Sequence, residues 1–206
     1  MTNIESSSRD QLSTRARLVE AALMLFSRYG YAATGVKAIL SAAKTPYGSL
    51  YHWFPGGKEE LGIAAIEHGA EKNRKMIEAQ FPAGGNIVRE TASAFLIAAE
   101  MLESSDYADA CPIATIALEV AQSDESMRVA TAVAFESWLD VMKESFAAAG
   151  LTETSAHEAA VDVFCLLEGA LMLSRTTRSA APLRSVARTA ANAIAARFAA
   201  DLSKTP

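Results

Sequence analysis

Cysteine is scarce in this 206-residue chain, which carries only Cys111 and Cys165. Two thiols are too few for a disulfide framework or a structural zinc site, and they fit a reducing compartment. Long hydrophobic runs are missing as well. The longest, around Val161 to Leu173, is interrupted by Asp162 and Glu168 and falls short of the roughly 18 residues a membrane span needs. Met1 to Gln11 is polar and serine-rich with no apolar centre, unlike a secretory signal. A soluble, cytoplasmic protein is the expectation. Catalytic and metal-binding patterns are equally thin. His52, His68 and His157 have no H-x-x-x-H or C-x-x-C companion. Gly56-Gly57-Lys58 lacks the glycine spacing and preceding strand of a phosphate loop, and no Gly-x-Ser-x-Gly elbow occurs. These gaps argue against an enzyme and predict neither metal nor cofactor.

What is present is helix. Half the residues are hydrophobic and 21% are charged, which excludes disorder of the whole chain. Six prolines and eleven glycines fall where helices should stop, and no alternating strand pattern of any length occurs. Leu18, Ala22, Leu25, Phe26 and Tyr29 recur at helical spacing over 14–29, and Gly30 ends the run. A short helix is expected over 36–43. Thr45-Pro46 reads as an N-cap followed by proline at the first helical position, opening a helix over 46–53. Further helices are expected over 58–80, 87–103, from Cys111-Pro112 to about 122, and over 126–149, 154–177 and 183–202. The prediction is an all-α fold of about nine helices.

Charge is divided unevenly along the chain. The net charge of −5 argues against nucleic acid if read globally. Residues 15–58, however, hold six basic side chains against Glu20 alone, a net of +5, while residues 59–206 carry −9. A basic head on an acidic body points to a polyanion met by the head only. That head contains VKAILSAAKTPYGSLYHWF over 36–54, two short helices around a tight turn. Ile39, Leu40, Leu50, Trp53 and Phe54 are spaced to meet the helix 14–29, which leaves Thr45, Tyr47, Gly48, Ser49 and His52 facing outward. This is the helix-turn-helix arrangement, whose second helix fits the major groove.

Residues 14–61, TRARLVEAALMLFSRYGYAATGVKAILSAAKTPYGSLYHWFPGGKEEL, resemble the N-terminal domain of TetR-family transcriptional repressors. The run PYGSLYHWFPGGKEEL, together with CPIATIALEVA from Cys111 and LEGALMLSRTTRSAAPL from Leu167, resembles the LmrA/YxaF branch. The resemblance implies a homodimer that binds a palindromic DNA operator and is released by a small-molecule inducer. It implies a DNA-binding domain over 1–58, with a disordered tail over 1–11, and a ligand-binding and dimerisation domain over 59–206. Carried over residue by residue, it assigns a DNA contact to Lys37 and base-edge positions to Thr45, Pro46, Tyr47, Gly48 and Ser49. Tyr51, His52 and Lys58 take phosphate contacts. Lys44 stands where relatives commonly have glycine, a departure that adds a phosphate contact; Trp53 stands where many have histidine or tyrosine.

The body carries two further expectations. Helices 154–177 and 183–202 are apolar all round, so one side must pack on something beyond the protomer's own core. A dimer interface through Phe164, Leu167, Leu171, Ala187, Ala190, Ala191 and Ile194 follows, in line with the resemblance. Phe95, Met101, Trp138, Met142 and Phe164 supply adaptable apolar lining for a hydrophobic or aromatic ligand. Glu168, set within LLEGALML, needs a partner if buried: it either pairs with an arginine such as Arg175 or Arg178, the favoured reading, or faces a polar pocket. The competing class is a helical ligand-binding or interaction protein without DNA activity.

Overall fold

The computed structural model describes residues 13–82, 84–109 and 111–203. The tail over 1–11 lies outside them. Nine helices and no strand occur among the described residues: α1 Thr14–Tyr29, α2 Val36–Ala42, α3 Ser49–Trp53, α4 Gly57–Gln80, α5 Ile87–Ser104, α6 Pro112–Val120, α7 Glu125–Ala148, α8 Glu153–Thr177 and α9 Ala181–Leu202. The all-α expectation holds. Local chemistry sets several of the starts. The side chains of Ser13, Asn86 and Thr152 each accept a hydrogen bond from the backbone N–H three residues on, capping α1, α5 and α8.

One start departs from expectation. The helix predicted from Pro46 begins instead at Ser49, with Gly48 as a cap that offers no side chain. Lys44 adopts a left-handed backbone, φ 52°, and Pro46 to Ser49 then form a turn closed by Ser49 N–H on the Pro46 carbonyl at 3.0 Å. Thr45 does not cap. Its Oγ1 is buried with no hydrogen-bond partner among the described residues.

The chain divides into two compact units. The first runs up to Gly69 and takes in Pro112–Ala132. In it α1 buries Leu18, Ala22, Leu23 and Phe26 and packs against α2, α3 and α6. Ile39, Leu40, Leu50 and Phe54 complete that core, each contributing on the order of 1.5–3 kcal/mol by leaving water. Tyr29, expected on the apolar stripe, is exposed.

The second unit comprises Ala70–Cys111 and Val133–Pro206. Here α9 packs on α5 and α8 around Phe95, Leu102, Phe146, Val163, Leu183 and Ile194. Small residues at Ala156, Ala159, Ala160, Ala187 and Ala190 are buried at this packing and allow the helices to approach closely. Asp201 near the end of α9 accepts from both the backbone N–H and Oγ1 of Thr152, at 3.0 and 3.1 Å, tying the start of α8 to it.

Candidate nucleic-acid interface and effector cluster

The α2–turn–α3 motif has two chemically opposite sides. Ile39, Leu40, Leu50 and Phe54 are buried, and the Arg15 guanidinium lies 5.2 Å from the centre of the Phe54 ring. Lys37, Lys44, Pro46, Tyr47, Gly48, Tyr51 and His52 are exposed, and Thr45 and Ser49 are partly so. Tyr47, in the turn, is 61% exposed, and Tyr51, on α3, is 53% exposed. Trp53 corrects the sequence reading. It is 40% exposed rather than core, and its ring meets His52 edge-on at 5.0 Å.

Lys58 is turned inward. Its Nζ donates to the Tyr31 carbonyl at 2.7 Å and lies 4.2 Å from the centre of the Tyr31 ring. Burial lowers its pKa, against the pull of the Glu119 carboxylate. The phosphate contact expected of Lys58 therefore competes with two contacts inside the head. The physical reason is that α4 starts at Gly57, so its first lysine points at the α1–α2 loop. Tyr31 in turn is half-buried, and its hydroxyl pKa is raised by burial, then by Asp124 and Glu59.

In the second unit, Phe95 and Met142 belong to one buried cluster against which Phe164 packs, and Trp138 meets the Phe164 ring. Phe95, Trp138 and Met142 are buried, and Phe164 is partly so. The Phe164 ring lies 6.0 Å from Trp138 and 5.4 Å from Phe135, and Phe135 lies 5.6 Å from Trp138. Trp138 Nε1 donates to the Ala70 carbonyl at 2.9 Å, which fixes the indole. Met101 stands apart, 54% exposed, because it is one residue and about 100° round α5 from buried Leu102.

Glu168 lacks the arginine expected for it. Arg178 pairs with Asp106 at 2.8 Å, and Arg175 donates to the Ala108 carbonyl at 3.1 Å. Burial raises the pKa of Glu168, and a hydrogen bond from the Cys111 thiol opposes that rise. The expected interface residues also divide. Ala187, Ala190, Ala191 and Ile194 are already buried within the protomer. Phe164, Leu167 and Leu171 are partly covered by the core of the second unit. The apolar side chains of α8 left at the surface are Cys165, Met172 and Leu173, and with Leu166, Gly169 and Val186 they line an open groove of about 300 Å³. Periodicity showed an all-round apolar helix but could not say which side its own core would take.

Comparison with known proteins gives the family. The model of the bacterial regulatory proteins of the tetR family matches residues 18–65, and that of the LmrA/YxaF-like transcriptional regulator C-terminal domain matches residues 88–189. An HTH-type transcriptional regulator of Mycobacterium tuberculosis is 32% identical over 189 residues, covering 89% of this chain and 95% of the relative. The HTH-type transcriptional regulator LmrA of Bacillus subtilis is 33% identical over 172 residues, covering 82% and 90%. The crystal structure of regulatory protein TetR from Rhodobacter sphaeroides shares the fold with a TM-score of 0.78, at 23% identity over 87% of this chain and 98% of that one. These relatives are regulators, not enzymes, and no helix among the described residues is long and apolar enough to cross a membrane. The chain belongs to the tetR family of bacterial regulatory proteins, as a DNA-binding transcriptional regulator with an LmrA/YxaF-like C-terminal domain.

Proposed function

We propose that the protein is a ligand-responsive repressor, working in the cytoplasm, that reads a palindromic operator as a homodimer and is released by a small hydrophobic or aromatic inducer. The observation that carries this reading is the two-sided α2–turn–α3 motif, with Ile39, Leu40 and Leu50 buried and Lys37, Lys44 and Tyr47 exposed. In this reading residues 1–58 meet DNA and residues 59–206 serve the effector and the second copy. Lys37 and Lys44 neutralise phosphates, Tyr51 and His52 hydrogen-bond to the backbone, and the stretch Thr45 to Ser49 approaches base edges. A two-fold protein requires a two-fold site, so one head alone binds weakly.

The second copy covers the face of α8 that carries Met172 and Leu173, and an obligate interface of this kind buries on the order of 2,000 Å². The inducer lodges among Phe135, Trp138 and Phe164, next to the cluster that holds Phe95 and Met142. It releases DNA only if it prefers a head spacing that the operator does not fit, with a coupling typically of about 1–3 kcal/mol.

A mobility-shift assay on DNA from upstream of the protein's own coding sequence tests the reading. Tyr47→Ala weakens sequence-specific binding by about 1–3 kcal/mol while leaving thermal stability unchanged. Inducer binding is followed by Trp138 fluorescence in a Trp53→Phe background. A protein that binds aromatic ligands and no DNA would instead be a helical ligand-binding module, and the repressor reading would fall.

A further inference from the structure

Two consecutive residues of the α1–α2 loop are held by side chains from elsewhere in the first unit. Tyr31 is held by Lys58, as described above. Ala32 is held by Glu119 of α6, whose carboxylate also passes close to Gly30. One carboxylate oxygen of Glu119 accepts from the Ala32 backbone N–H at 2.6 Å. The other occupies the space a side chain at residue 30 would fill: a Cβ built on Gly30 would stand 1.9 Å from it. Gly30 has φ 83° and ψ 166°, a conformation essentially restricted to glycine, so the loop is shaped for this approach twice over. Thr34 Oγ1 adds a 2.6 Å hydrogen bond to the Gly30 carbonyl. The loop leads directly into α2, so its backbone sets the direction in which the helix-turn-helix is presented.

We propose that Glu119 is a positioning residue for operator binding, fixing the α1–α2 loop through its bond to Ala32 and so holding α2 and α3 at the angle that fits DNA. The inference rests on the reading of α2 and α3 as the DNA-reading motif. It places a working part of the head on a helix that lies more than 50 residues beyond it and within the stretch matched by the C-terminal domain family.

The sign of the effect separates this role from simple charge. Glu119 is an anion near a surface that meets a polyanion, so removing it for charge alone would strengthen binding. A positioning role requires the opposite. Wild type, Glu119→Ala and Glu119→Gln are titrated onto labelled upstream DNA across a salt series, with backbone amide exchange read in parallel. Glu119→Ala is expected to bind about fivefold more weakly, the loss of one charge-assisted hydrogen bond at a solvent-open site, with the salt slope unchanged. Glu119→Gln, which keeps an acceptor oxygen, recovers part of the affinity. Ala32 loses exchange protection in the alanine variant and keeps more of it in the glutamine variant. Equal or tighter binding by Glu119→Ala, or unchanged protection at Ala32, overturns the inference. Absence of DNA binding by wild type overturns the regulator reading instead, while Ala32 protection still reports whether Glu119 holds the loop. If the alanine variant does not fold, the glutamine variant and Ala32 exchange decide the matter.

Discussion

The ammonium of Lys58 and the ring of Tyr31 form one unit of the head, with the lysine donating to the tyrosine's own carbonyl at 2.7 Å while sitting 4.2 Å from the ring centre. A cation held in this way stabilises the fold first. Lys58→Met should therefore lower stability by about 1–2 kcal/mol, from one hydrogen bond and one cation–π contact. The salt slope of operator binding should stay the same, because no phosphate contact is lost. Thermal melts and a salt titration on one preparation decide it; a slope lower by about one with unchanged stability would restore the phosphate role.

Lys44 gives the reverse pattern. Its backbone is left-handed at φ 52°, a conformation that costs a side-chain-bearing residue roughly 1–2 kcal/mol. Lys44→Gly should raise the melting temperature of the head, and it should also weaken operator binding and lower its salt slope by about one unit. Stability and DNA affinity would then move in opposite directions through a single substitution.

Association and folding should separate on α8 and α9. Leu173, 52% exposed, lies on the face assigned to the second copy, whereas Ala190 is buried in the protomer. Leu173→Glu should yield folded monomers with weakened operator binding, read by analytical ultracentrifugation and circular dichroism. Ala190→Glu should cost several kcal/mol by burying an unpaired charge, and it should unfold or aggregate rather than dissociate. A dimeric Leu173→Glu protein would remove that face from the interface.

Glu168 links stability to pH. Burial raises its folded pKa above the ordinary carboxylate value of 4.5. The folded state thus binds this proton more tightly than the unfolded state does. The stabilisation it brings is complete below the unfolded pKa and is lost as pH rises through the folded value. Glu168→Gln, a neutral isostere, should melt at the same temperature as wild type near pH 4 and at a higher temperature above pH 7. Identical pH profiles for the two proteins would show that Glu168 is ionised without cost.

Helix positions were legible from the residues alone because spacing and punctuation are local. Leu18, Ala22 and Phe26 recur at the helical period, and Gly30 stops α1 where the sequence places its end. The two-sided character of the reading motif was legible for the same reason, since Ile39, Leu40, Leu50 and Phe54 mark the buried side by spacing. Where α3 begins was not legible. Thr45-Pro46 has the composition of a helix start, but the left-handed Lys44 and the turn over 46–49 use those residues otherwise. The partners of charged side chains were decided by tertiary structure. Lys58 turns to Tyr31, Glu119 to Ala32 and Glu168 to Cys111, each across a sequence gap that no periodicity spans. The same holds for α8 and α9: an apolar residue announces that it will be covered, but only packing decides whether its own core or another surface does so. Ala190 went inward because α9 packs on both α5 and α8, and Leu173 stayed out because it lies on a side of α8 that they leave exposed.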